Sequence, residues 1–73
     1  MKDWQERVVE EKAELDKKIE KLSKFIQGGE FWGLAMEEQR RLLTQITLMQ
    51  QYSEVLGERI DAFEVNDKGD EDG

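Results

Sequence analysis

Cysteine, histidine and proline are all missing from this 73-residue sequence. Without cysteine there are no disulfides, and without cysteine and histidine the usual zinc ligands are gone. No metal site and no other cofactor is expected. A hydrophobic core of this size supplies only roughly 3–5 kcal/mol by itself. Small domains normally add disulfides, a metal or self-association, and only the last is left here. Without proline nothing kinks a helix. A membrane span is also lacking: the longest uncharged stretch, Leu42 to Ser53, is too short and too polar. Asp3 and Glu6 break any signal-peptide pattern at the start, so a cytoplasmic protein is expected. Basic surplus is lacking too, because 11 Lys and Arg face 18 Asp and Glu for a net charge of −7. Duplex nucleic acid is therefore a poor partner, there being few cations to displace its counterions. A small anion held in one pocket stays possible, since only local charge matters there.

What is present reads as two helices. Asp3 with Glu6 three residues on matches a capping box. Apolar residues then recur at helical spacing through Val8, Leu15, Ile19, Leu22 and Ile26. Gly28 and Gly29 stop the run, and a left-handed glycine is the expected cap. Residues 28–34 form a turn that holds Phe31 and Trp32. These two either close the open end of the core or make a ligand-facing or subunit-facing aromatic loop. A second helix starts near Ala35, with Glu37 and Glu38 at its positive end. Its seam runs Leu42, Ile46, Met49, Ser53, Leu56, Ile60, Phe63. The expected fold is an all-α antiparallel two-helix hairpin over residues 1–63, with helices at about 4–27 and 35–62. It is expected to assemble into a symmetric homo-oligomer. Residues 64–73 carry Glu64, Asp67, Asp70, Glu71 and Asp72 against Lys68 and are expected to be an unstructured acidic tail.

Three features break the pattern. A second stripe on the later helix, Arg41, Gln45, Leu48, Tyr52, Val55 and Arg59, reads as another interface or as a solvated face. Gly57 sits inside that helix one turn after Ser53, and two small residues at that spacing let another group approach closely. Lys12 falls in the apolar seam of the first helix, between Val8 and Leu15. It either pairs with a glutamate such as Glu11 or Glu14, fixes the register of the seam, or points a charge at a bound anion. Trp4 lies two turns away and Arg7 one turn from Trp4. An aromatic plane with Arg and Lys is the minimum kit for a nucleotide, one part stacking on the base and the other holding phosphate.

Catalysis has little to work with. Ser23, Ser53, Thr44 and Thr47 lack an evident base. Glu14 with Lys18 and Glu20 with Lys24 sit at ion-pair spacing on outward faces. No phosphate-loop pattern occurs. A non-enzymatic binding protein is expected; an isomerase or hydrolase has no residues to nominate.

The segments Trp4-Gln5-Glu6-Arg7-Val8-Val9-Glu10-Glu11-Lys12-Ala13-Glu14-Leu15, Lys18-Ile19, Lys21-Leu22 and Gln51-Tyr52-Ser53-Glu54-Val55-Leu56-Gly57-Glu58-Arg59-Ile60 carry a resemblance. They resemble the helical hairpin domain shared by the phage anti-CBASS and anti-Thoeris sponges, over about residues 4–63. The resemblance implies a homo-oligomer, commonly a hexamer. It implies that the chain binds cyclic di- or trinucleotides, the alarm signals of bacterial immunity, and sequesters them without cleavage inside the infected host cell. It implies Trp4 as the aromatic that stacks on a base and Lys12 as the phosphate contact; Arg7 joins the expected site by its spacing from Trp4 alone. Phe25 matches an aromatic used for ligand in the larger members. Arg59 matches the later of two arginines spaced four apart, but Val55 stands where the earlier should be, a departure that bears on the trinucleotide-type site. The alternative reading of the same residues is a structural or protein-interaction hairpin, an inhibitor or assembly factor.

Overall fold

Two long helices joined by a short one make up the protein: α1 Asp3–Gln27, α2 Gly29–Trp32 and α3 Met36–Asp72. The computed structural model describes residues 2–72, with side chains described for residues 2–63. The acidic tail expected over 64–73 lies outside the residues described in full. Among the described residues there is no strand, and no helix is long and apolar enough to cross a membrane. α1 and α3 pack along their lengths in opposite directions, Trp4 meeting Phe63 at one end and Lys12 meeting Ser53 further in.

The α1 start lies one residue earlier than the Asp3–Glu6 spacing predicts. Lys2 precedes the helix, and its backbone N–H donates to the Gln5 side-chain oxygen at 2.9 Å. Its carbonyl accepts from the Gln5 and Glu6 N–H groups at 3.0 Å. Gln5 thus takes the role expected of Glu6, and Asp3 becomes the first helical residue, where its charge still suits the dipole. The α1 end also differs from expectation. Among the described residues no glycine has positive φ; Gly28 is extended at φ −82°, ψ 167°. Its N–H closes the helix on the Lys24 and Phe25 carbonyls, and the extended step then turns the chain into α2.

The core is a thin seam. On α3, residues 42, 46, 49, 53, 56, 60 and 63 are buried or half-buried, the period expected of one helical face. Val8, Leu56 and Phe63 form its buried centre, with Leu15 and Ile60 packed on it. At the turn, α2 divides the two aromatics. Phe31 is 2% exposed while Trp32 is 71% exposed, the rings meeting edge to face at 5.3 Å. Gln39 ties this turn to α3, its side-chain amide donating to the Leu34 carbonyl at 2.9 Å and to that of Trp32 at 3.4 Å.

Candidate functional site

Lys12 is the polar centre of the helix–helix seam. Its ammonium donates to Asp16 Oδ2 at 2.8 Å and to Ser53 Oγ at 3.0 Å. Ser53 in turn donates to Asp16 Oδ1 at 2.5 Å. The ring of three closes across α1 and α3. Lys12 and Ser53 together hold the Asp16 carboxyl below the usual range, the Lys12 hydrogen bond being the larger cause. The carboxylate partner of Lys12 is therefore Asp16, one turn ahead, and not Glu11 or Glu14. Gly57 makes room for this arrangement, because Lys12 Cε lies over its backbone. Ser53, read from the sequence as lacking an evident base, has Lys12 and Asp16 as its polar partners. A carboxylate held ionised by an ammonium is nevertheless a weak base, and the hydroxyl is buried between the helices.

Glu11 has a separate role. Its carboxylate accepts a hydrogen bond from the Tyr52 phenol across the hairpin. That bond raises the phenol pKa, while the nearby charge of Arg59 acts against it. Tyr52 stands at the end of a groove of about 670 Å³ on α3, which also involves Arg40, Arg41 and Thr44. Gln45, Leu48 and Met49 complete its wall. Arg41 is held by Glu38 at 2.6 Å and lies 3.8 Å from Glu37. Leu48, Tyr52 and Val55, from the second stripe read in the sequence, are all exposed.

The expected site residues scatter within one chain. Trp4 is half-exposed and packs edge to face on Phe63, ring centres 5.0 Å apart. Lys12 is about 12 Å along α1 from it at the helical rise and turns into the seam. Phe25 is exposed about 31 Å along α1 from Trp4. Arg7 and Arg59 are exposed, and among the described residues neither makes an ion pair. Trp4 and Lys12 do not meet. Sequence reasoning placed Met49 in the seam and Thr44 among hydroxyls without a base, and missed Arg40 beside the second stripe; Arg40 is the neighbour of Arg41, and a wider helical arc would have included it. Among the described residues no group of acidic side chains could hold a metal ion.

Fold and site define an all-helical hairpin with an internal polar lock and one open cationic and apolar face. The Sequestin family's profile matches residues 2–62, and the chain belongs to that family. The family's name denotes sequestration. A relative in Enterobacteria phage T4, described as an uncharacterized 7.5 kDa protein in the denB-rIIB intergenic region, is 42% identical over 60 residues, covering 82% of this chain and 94% of the relative. No solved structure matches significantly.

Proposed function

We propose that this chain is a phage sponge. It binds a cyclic di- or trinucleotide second messenger in the cytoplasm of the infected cell and withholds it from CBASS-type immunity, breaking no bond. The observation that carries this reading is membership of the Sequestin family across residues 2–62, together with a phage relative of nearly the same extent. The geometry is compatible with it. Trp4 presents a half-exposed ring, and Arg7 and Arg59 offer exposed cations. Phe25 and Trp4 are too far apart to meet one small ligand in a single chain, so the proposed site lies at a boundary between copies of a homo-oligomer, a hexamer by resemblance. Exposed Trp32, Met36, Leu43 and Val55 supply apolar surface for that assembly.

A second reading, a helical hairpin that binds another protein, is favoured by one observation: Lys12 is already paired with Asp16 and Ser53. Isothermal titration against a panel of cyclic di- and trinucleotides separates the two, with recovery of the ligand after heating the complex. Saturable binding with intact ligand returned supports the sponge. Absence of binding across the panel gives the lead to the protein-interaction reading, and altered ligand would reveal an enzyme.

A further inference from the structure

We propose that the α3 groove is a nucleotide subsite, with the Tyr52 ring as base platform and Arg40 as the phosphate contact; this rests on the sponge reading for the class of ligand. The charge pattern carries it. The chain is acidic at −7, yet the groove wall contains two arginines and no carboxylate. Glu38 at 2.6 Å and Glu37 at 3.8 Å flank Arg41 and take up its charge, and Glu11 accepts from the Tyr52 phenol. Arg40 is exposed and makes no ion pair among the described residues.

The tether to Glu11 fixes the Tyr52 ring against the hairpin, so little side-chain freedom is lost when a planar group stacks on it. Leu48, 58% exposed, extends that apolar surface by one turn. Thr44 and Gln45 lie between it and the arginines and present neutral donors and acceptors. Arg40 is about 12 Å along the helix from Leu48 and about 18 Å from Tyr52, so a base at the Leu48 edge of the Tyr52 ring brings an attached phosphate toward the Arg40 guanidinium. A flat polar ring joined to an anion fits this order of side chains. A second copy of the chain is the competing occupant.

Amide spectra of the full chain test the proposal, with cyclic diadenylate, cyclic diguanylate and ATP as probes. Binding should shift the amides of Thr44, Gln45, Leu48 and Tyr52. Arg40→Glu and Tyr52→Leu should each weaken binding by roughly tenfold or more, and Lys17→Ala, an outward α1 cation, should not. A cyclic nucleotide that binds while these amides stay still overturns the groove and leaves the sponge intact. ATP that moves them when neither cyclic dinucleotide binds upholds the groove as a nucleotide site and overturns its assignment to cyclic dinucleotides. Silence toward all three probes overturns the groove. Concentration-dependent shifts without ligand, unaffected by any probe, assign the face to a second copy and overturn it as well.

Discussion

The stem of Lys12 lies across Gly57: a methyl group placed at Gly57 would stand 3.3 Å from Lys12 Cε. The glycine and the seam lysine therefore explain one another. Replacing Gly by Ala in a helix interior normally gains about 0.8–1 kcal/mol. Here the methyl presses on a side chain anchored by Asp16 and Ser53. Gly57→Ala should gain clearly less than that in the parent chain and close to the full amount when Lys12 is also Ala. Urea unfolding of the four variants of this cycle measures the coupling; equal gains in both backgrounds would remove the contact.

The seam was legible because helical period and apolarity agree from Leu42 to Phe63. The lysine's place in it was legible too, since Lys12 interrupts the run from Val8 to Leu15. Its partner was not assigned from the sequence, although the helix rule offers it: residues four apart are neighbours, while residues one or two apart face elsewhere. Asp16 satisfies that spacing, whereas Glu11 and Glu14 do not. The bond from Tyr52 to Glu11 joins residues on different helices. Periodicity along either helix cannot specify it, because it depends on how one rod is rotated against the other. The division between Phe31 and Trp32 depends on the single turn of α2, which points adjacent side chains about 100° apart.

Asp16 should make the hairpin acid-sensitive. Its folded pKa is depressed below the unfolded value by Lys12 and Ser53. Its contribution is therefore complete above the unfolded pKa, about 3.9, and is lost as pH falls through the folded pKa. The stability difference between the parent and Asp16→Asn should be flat near neutrality and shrink below about pH 4. Denaturant midpoints across that range check it, and a difference that does not vary with pH would contradict the ion pair.

Tyr52 behaves with the opposite sign. Its folded pKa is raised, chiefly by the hydrogen bond to Glu11. The stabilisation is thus present below the unfolded pKa of about 10 and is lost as pH rises through the folded pKa. As the chain has a single tyrosine, phenolate absorbance reports it without overlap from another. Titration of the parent should have its midpoint above that of the unfolded chain, and Glu11→Gln should move it downward. No downward movement would mean that the contact is absent in solution.

Phe31 and Trp32 should respond very differently to truncation. Phe31 is fully enclosed, and cutting a buried Phe to Ala typically costs about 3–5 kcal/mol. Trp32 faces solvent and loses mainly its edge contact with Phe31, so Trp32→Ala should cost about 0.5–1.5 kcal/mol. Thermal unfolding at low protein concentration orders the two. A larger loss for Trp32→Ala, appearing only as concentration rises, would place that ring in a subunit interface.

Asp16 also decides what Lys12 can do for a ligand. A phosphate that uses the Lys12 ammonium must compete with a carboxylate already 2.8 Å away. Asp16→Ala removes that competitor and leaves the ammonium bonded only to Ser53. If Lys12 is the phosphate contact of the proposed sponge, affinity for the cyclic nucleotide should rise several-fold in Asp16→Ala even as the hairpin loses stability. Lys12→Ala should lower it roughly tenfold, since a hydrogen bond to a charged group is worth about 1.5–3 kcal/mol. A lysine that only locks the hairpin predicts another pattern, in which both variants lose stability and neither changes affinity once folded protein is counted. Titration calorimetry, with the folded fraction of each variant set by circular dichroism, distinguishes the two patterns. The second would remove Lys12 from the site and leave phosphate recognition to the exposed arginines.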